Sequence, residues 1–150
     1  MSVRLSGPPR HQGLPAVDRR LLRARAGRIL RALSHGRSEL SISLLDDAGM
    51  AALNASYRGR RGPTDVLAFS LLEGENAEHR GRLLGDVVIG LEAAARQARA
   101  RHAALDEEVA RLLIHGTLHL LGYDHHHERE ARAMRAQERQ LWRAARDGEE

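Results

Sequence analysis

Residues 106–125 read DEEVARLLIHGTLHLLGYDH, and this stretch combines a helix-start signal, an apolar run and a glycine stop. Three acids come first, and carboxylates favour the positive end of the helix dipole. The apolar run that follows predicts a helix to about Leu121. Gly122 is expected to end that helix, because glycine enters the left-handed backbone region without the strain that a Cβ brings.

Three histidines in the same stretch predict a metal site. His115 and His119 are four residues apart, so they share one helix face with Cβ atoms about 5–6 Å apart. A turn at Gly122 returns His125 toward the same ion. Three imidazoles with one open position are typical of catalytic zinc, whereas structural sites usually close with cysteine, which this chain lacks. We therefore predict one Zn²⁺ per chain, held by these three histidines.

The histidine spacing also matches the zinc signature of metzincin proteases, with one departure. Those enzymes place a glutamate general base directly after the first histidine, and here Gly116 occupies that position. A zincin-like metalloprotease therefore stays an alternative that lacks its base. His126 and His127 are able to substitute as ligands but are interpreted as exposed neighbours. The remaining histidines are predicted to lie on the surface: His11, His35, His79 and His102.

Outward from this helix, the pattern predicts short strands and helices in one α+β domain with a small sheet over residues 1–150. Residues 39–45 alternate apolar and polar side chains, as a half-buried strand does, whereas residues 17–33 carry apolar residues at helical spacing. Residues 1–16 and 147–150 are expected to be loosely ordered. The predicted order is β-α-β-α-β-β-α-α-α, with strands near 3–5, 39–45, 66–72 and 83–89 and helices near 17–33, 47–57, 91–102, 106–121 and 128–146.

The composition narrows the class of protein. With 42% hydrophobic and 29% charged residues, the chain is typical of soluble globular domains. It has no cysteine, no apolar run of membrane-spanning length and no signal-peptide pattern, so we expect a cytoplasmic protein without a membrane partner.

The positive charge is unevenly distributed along the chain. All 24 basic residues are arginine, and residues 1–37 hold nine of them against the single acid Asp18, a net charge of 9 − 1 = +8. Such a segment attracts phosphate backbones, although a solvated helix face explains the same arginines.

At this point the chain resembles a known family, the bacterial YbeY family of metal-dependent, single-strand-specific endoribonucleases. The resemblance begins with the motif from His115 to His125 and extends over roughly residues 17–142. It implies an α+β fold with a small mixed sheet, about five to six helices and the metal at a helix and its following turn. It also implies a role in 16S rRNA 3′-end maturation and ribosome quality control, with single-stranded RNA, 16S rRNA and the small ribosomal subunit as partners. Four further blocks carry the resemblance: Leu53–Arg58, Pro63–Phe69, Leu84–Ile89 and Met134–Glu138.

The resemblance also assigns the site residues. His115, His119 and His125 correspond to the zinc ligands, and Arg58 to an arginine at the active-site cleft. We therefore expect Arg58 and His115 to act in catalysis, because a guanidinium matches phosphate oxygens and stabilises charge that develops on phosphorus. A surface arginine is the alternative for Arg58.

Weaker candidates surround this set. Arg60 and Arg61 are expected to contact the RNA backbone, and Asp86 and Tyr123 the substrate, while Asp124 is expected to orient a metal ligand. A strand-end turn is the alternative for Asp86, and simple packing is the alternative for Tyr123. A non-catalytic ribosome-binding protein with a structural metal also remains open as a function.

Overall fold

The structure, a computed structural model, describes residues 2–7, 14–59, 64–70, 82–123 and 127–149, with only the backbone described for Ser2 and Arg58. The predicted element order is confirmed over these residues. The elements are β1 (Ser2–Ser6), α1 (Arg19–Ala32), β2 (Glu39–Leu45), α2 (Asp47–Arg58), β3 (Val66–Ser70), β4 (Leu83–Gly90), α3 (Leu91–Arg101), α4 (Leu105–Leu120) and α5 (Glu128–Ala145).

The four strands form one mixed sheet in the order β1-β2-β4-β3. The β1–β2 and β2–β4 pairs are parallel, whereas β3 and β4 are antiparallel. In β2 the predicted alternation is confirmed, because Leu40, Ile42 and Leu44 are buried and the residues between them are partly exposed. The expected α+β fold with a small mixed sheet is therefore correct.

Strand β4 contains a β-bulge. Glu39 pairs with Leu83 and Ser41 pairs with Asp86, so β4 contains one more residue than β2 between these two pairs. Gly85 occupies the bulge with φ +154°, and a Cβ there would lie 2.3 Å from the Phe69 carbonyl oxygen. The strand-end alternative for Asp86 is wrong, because Asp86 lies inside β4 and pairs with residues on both neighbouring strands.

Helix α4 packs against β3 and β4 and also contacts α1, α3 and α5. Its apolar positions Val109, Leu113 and Leu118 are fully buried. Each contributes about 1.5–3 kcal/mol on removal from water. Gly116 brings the helix close to the sheet, since a Cβ there would lie 2.7 Å from Val87 Cγ1. The helix that carries His115 is therefore fixed on several sides.

Aspartates cap the N-termini of two of the helices. The Asp46 carboxylate accepts a hydrogen bond from the Gly49 amide at 2.7 Å and caps α2. Asp18 caps α1 through the Leu21 amide at 3.0 Å. That cap explains why α1 begins at Arg19 and not at the predicted residue 17, because a capping residue has non-helical backbone angles.

Glu149, the last residue that the structure describes, is bound to α1. Arg25 donates two hydrogen bonds to the Glu149 carboxylate, at 2.9 and 3.2 Å, and Arg28 also pairs with it. Arg28 Nε donates to the Ala145 carbonyl at 2.6 Å. The hydrogen bond from Arg25 lowers the pKa of Glu149, while desolvation opposes this shift and the nearby arginine charges reinforce it.

We expect Glu149→Gln to reduce the free energy of unfolding by about 1 kcal/mol at pH 7, because one partly buried carboxylate joins two arginines. The folded-state pKa is depressed, so this stabilisation is present above the unfolded pKa of about 4.3 and is lost as pH falls through the folded value. Urea unfolding of parent and variant at pH 7 and pH 3 measures both effects. Glu130→Gln, which changes an exposed residue of α5, is the control. A stability difference that persists unchanged at pH 3 contradicts the ionic explanation.

Candidate metal centre and the adjoining cavity

His115 and His119 lie on successive turns of α4 and point their Nε2 atoms at one another. The two Nε2 atoms are 3.0 Å apart, and the rings meet edge to face with an interplanar angle of 75°. Two imidazoles on a tetrahedral zinc ion, with Zn–N bonds of about 2.0–2.1 Å, require a nitrogen separation of about 3.3 Å. The pair therefore fits a shared metal with only a small rotation of either ring.

The chain reverses immediately after this pair. Gly122 has φ +93°, its amide donates to the His119 carbonyl at 3.0 Å, and the Tyr123 amide donates to the Leu118 carbonyl at 3.0 Å. These two bonds close α4 as a Schellman motif, and the predicted glycine stop is confirmed. His125 lies outside the described residues. Within the part of the chain that is described, no group of three metal-binding side chains forms.

A carboxylate on α5 approaches the outer nitrogen of His115. Glu138 Oε1 lies 3.7 Å from His115 Nδ1, and both side chains are about one-third exposed. Ligating histidines commonly donate their second ring N–H to such an acceptor, which fixes the tautomer and the ring orientation. Sequence reasoning missed this contact and expected Asp124 in the role, and Asp124 lies outside the described residues. No local signal links residues 115 and 138, because only the packing of α4 on α5 brings them together.

At residue 116, where metzincin proteases carry their glutamate base, the space for a side chain is occupied by the sheet. Gly116 faces β3 and β4, where a Cβ would lie 2.7 Å from Val87 Cγ1 and 3.1 Å from Val66 Cγ2. A longer side chain at this position would have to displace the packed sheet. The glycine is therefore a packing requirement of α4, and position 116 leaves no room for a carboxylate base.

A cavity of about 680 Å³ opens beside His115, between α3, α4, α5 and the start of β3. Its lining includes the arginines Arg101, Arg111, Arg135 and Arg139, together with Trp142. Arg111 lies over the Trp142 ring at 5.7 Å. None of these residues was singled out from the sequence, because their shared location depends on three helices packing together. The cavity therefore places four arginines near the imidazole pair, together with the carboxylates of Asp65, Glu108 and Glu138.

The arginines expected at the substrate lie at or beyond the end of α2. Arg58 is the last residue of α2, one position beyond the predicted helix end near residue 57, because Gly59 with φ +63° ends the helix. The Arg58 side chain and residues Arg60 and Arg61 lie outside what the structure describes. The connection beyond α2 leads to Asp65, which lines the cavity and accepts a hydrogen bond from Gln97 Nε2 at 3.0 Å.

Two other candidates have packed positions. Tyr123 is half-buried and contacts the main core cluster, which supports the packing alternative. Asp86 is half-buried inside β4. His127 is exposed directly before α5, as expected for a neighbour of the site.

The remaining histidines are partly in agreement with the prediction. His102 is exposed, whereas His35 is half-buried and its Nδ1 lies 3.2 Å from Ser38 Oγ. The expectation of a surface position is therefore only partly correct for His35, because the tight turn after α1 folds Ser38 back onto the ring. His11, His79 and His126 lie outside the described residues.

These features define a small α+β protein with a paired-imidazole centre next to a basic cavity. The sequence profile of the family Endoribonuclease YbeY matches residues 16–146. A relative named Endoribonuclease YbeY from Anaeromyxobacter sp. (strain Fw109-5) is 48% identical over 145 residues, covering 96% of this chain and 72% of the relative. Another of that name, from Pelotomaculum thermopropionicum, is 45% identical and covers 87% of this chain and 90% of the relative. The chain belongs to the Endoribonuclease YbeY family.

The solved structures support the fold independently. The solution structure of TM1509 from Thermotoga maritima superimposes with a TM-score of 0.65 at 21% identity, covering 96% of this chain and 89% of TM1509. At this identity the match bears on the fold alone. Among the described helices, none combines the length and the apolar character that crossing a membrane requires.

Proposed function

We propose that this protein is a zinc-dependent endoribonuclease that cuts single-stranded RNA, acting in 16S rRNA 3′-end maturation and ribosome quality control on the small ribosomal subunit in the cytoplasm. The observation that carries the proposal is the 3.0 Å convergence of His115 Nε2 and His119 Nε2 at the wall of an arginine-lined cavity. Membership of an endoribonuclease family supplies the reaction class.

His115, His119 and His125 would hold the metal, because neutral imidazoles suit zinc and the chain contains no thiolate. When bound there, zinc supplies a Lewis acid close to the phosphodiester. Glu138 Oε1 lies 3.7 Å from His115 Nδ1, close enough that a small side-chain shift would let the carboxylate accept the Nδ1 proton and leave the Nε2 lone pair for the metal. The cavity arginines bind phosphate groups of the RNA. Arg58 donates hydrogen bonds from its guanidinium group to the oxygens of the phosphate at which the chain is cut.

The zincin-like protease alternative is disfavoured because Gly116 packs against Val66 and Val87, so position 116 has no space for the glutamate that those proteases use as their base. A non-catalytic ribosome-binding protein makes a different prediction, namely RNA binding without RNA fragments. An endoribonuclease and a non-catalytic binding protein are therefore distinguished by whether RNA fragments form, and not by whether RNA binds.

The test is a gel assay with purified protein that carries one equivalent of zinc. We expect cleavage of a labelled single-stranded RNA faster than of the same sequence in a perfect duplex, loss of cleavage with a chelator and recovery on zinc addition. Precursor 16S rRNA in isolated small subunits is the second substrate, and casein is the control for protease activity. Binding of RNA without fragments under every metal condition would exclude the proposed activity.

Arg58→Ala should slow RNA cleavage at saturating substrate about a hundredfold, while zinc content and melting temperature stay near those of the parent. A charge-assisted contact formed with the transition state contributes on the order of 3 kcal/mol. Arg58→Lys should restore activity only in part, because lysine keeps the charge and loses the fork. Cleavage at the parental rate makes Arg58 a surface arginine, and loss of zinc or of folding gives it a structural role.

Glu138→Gln should weaken zinc affinity by about 10- to 100-fold, the usual effect of removing a carboxylate that orients a ligating histidine. Competition against a coloured zinc chelator measures this affinity without reference to RNA cleavage. Glu130→Gln removes the same charge from an exposed position on α5 and should leave affinity unchanged. Equal zinc affinity of the two variants would show that the 3.7 Å approach has no role in metal binding.

A further inference from the structure

The solvent face of α5 carries a continuous row of arginines. At about 100° per residue, the row falls within roughly 80° of the helix circumference and extends about 21 Å along the axis. Every member is exposed, whereas Met134, Leu141 and Ala145 on the opposite side are buried. We call this row the α5 arginine ridge, and its members are Arg132, Arg135, Arg139, Arg143 and Arg146.

Four members of the ridge form no ion pair with any residue in the described ranges. The fifth, the C-cap residue Arg146, lies over the Trp142 ring at 5.0 Å, and its charge helps to lower the pKa of Glu149. By contrast, Arg25 and Arg28 on α1 are both occupied by Glu149. Uncompensated like charges at spacings of three and four residues destabilise an isolated helix slightly. A row of exposed arginines on one helix face is therefore suited to binding a negatively charged ligand.

One part of the ridge enters the proposed active site. Arg135 and Arg139 line the cavity beside His115, whereas Arg132 and Arg143 continue along the helix in either direction outside it. Arg101 and Arg111 face the same cavity from α3 and α4. Arginines therefore extend from the cavity at His115 to the exposed face of α5, although Arg101 pairs with Glu108 at 3.9 Å and Arg111 with Glu107 at 3.7 Å.

We propose that the α5 arginine ridge is a track for the phosphate backbone of single-stranded RNA that leads the strand into the cavity at His115. The inference rests on the proposed nuclease function and names the surface that holds the substrate outside the reaction centre. Guanidinium groups match phosphate oxygens, and a ridge of about 21 Å spans roughly six nucleotides of a stacked strand at about 3.4 Å per nucleotide. Trp142 is enclosed by Arg25, Arg111 and Arg146, so the ridge contacts phosphates without a row of open stacking platforms and acts independently of base sequence.

The test compares two double variants of the full chain loaded with zinc. Arg132→Gln with Arg143→Gln removes two ridge charges outside the cavity, and Arg20→Gln with Arg23→Gln removes two exposed charges from α1 as the matched control. The binding probe is a fluorescent single-stranded oligodeoxynucleotide, which has the phosphates but is not a substrate for an endoribonuclease. Fluorescence anisotropy across a salt series gives the affinity and its salt slope, and RNA cleavage gives KM and kcat.

We expect the ridge variant to bind about tenfold more weakly near 0.1 M salt and to lose about 1.4 from the magnitude of the salt slope, because each single-strand phosphate contact contributes about 0.7. KM for RNA should rise by a similar factor with a much smaller change in kcat. The α1 variant should match the parent in salt slope and KM if Arg20 and Arg23 belong only to a solvated helix face, since both are exposed and neither lines the cavity. Equal losses in both variants, or no loss in the ridge variant, would overturn the proposal, since the arginines would then act only through net charge or not at all.

These outcomes separate the ridge from the nuclease function. If the parent cuts no RNA but the ridge variant alone loses salt-dependent binding, the nucleic-acid track stands and the proposed reaction fails. If the parent cuts RNA with a KM that the ridge substitutions leave unchanged, the reaction stands and the track is wrong. An unchanged KM is also the result expected if the ridge binds an acidic protein and not RNA.

Discussion

His119→Ala is expected to leave the protein folded and nearly free of bound zinc. The side chain lies at the partly exposed end of α4, and the helix is held by Leu113, Leu118 and its contacts with the sheet. Removing one of three proposed imidazoles leaves a metal with too few protein ligands. RNA cleavage should fall by at least about a thousandfold, because a metal ion contributes several kcal/mol to transition-state stabilisation.

Elemental analysis after gel filtration measures the metal, and circular dichroism measures the fold. His102→Asn is the matched control, because His102 is exposed and has φ +55°, which asparagine tolerates. A full equivalent of zinc in the His119 variant would remove His119 from the ligand set. If zinc is lost only when His127→Ala is added, then the exposed histidine before α5 replaces the missing ligand.

Gly85→Ala is expected to destabilise the protein by about 3 kcal/mol or more. A Cβ at this position would lie 2.3 Å from the Phe69 carbonyl oxygen and 2.9 Å from Leu120 Cδ2. The first atom belongs to the backbone of β3, which pairs with β4, so relief requires the sheet to move. The φ of +154° adds backbone strain for any residue with a Cβ, on top of an overpacking cost of about 1–3 kcal/mol.

Gly148→Ala separates the two costs of the Gly85 substitution. Gly148 also has a positive φ, +82°, but a Cβ there meets nothing within 4 Å. Denaturant unfolding of both variants should therefore give a loss of about 1 kcal/mol for Gly148→Ala and a clearly larger loss for Gly85→Ala. Similar losses would mean that the close approach of β3 and β4 has little energetic weight. Because Leu120 follows His119, the Gly85 variant should also bind zinc less tightly than its folded fraction predicts.

The sequence by itself determined the elements of the fold and their order. Local signals were sufficient: alternation for β2, helical periodicity for α4, aspartate at the start of α2 and Gly122 at the end of α4. These signals act within a few residues, so they need no knowledge of the fold. The imidazole pair was predictable for the same reason, because residues four apart on a helix always share a face.

Only the tertiary structure decided the surroundings of that pair. The approach of Glu138 to His115 joins residues 23 positions apart, which no local period connects. The sequence showed that Gly116 occupies the position of the glutamate base of metzincin proteases. The physical reason for a glycine at this position is the close contact of α4 with Val87 on β4. The bulge at Gly85 carries Asp86 into the interior of the strand, because β4 must keep its register with β2 on one side and β3 on the other. Helix packing gathers the arginines of the cavity from α3, α4 and α5, since separate helices meet only when their apolar faces are buried together.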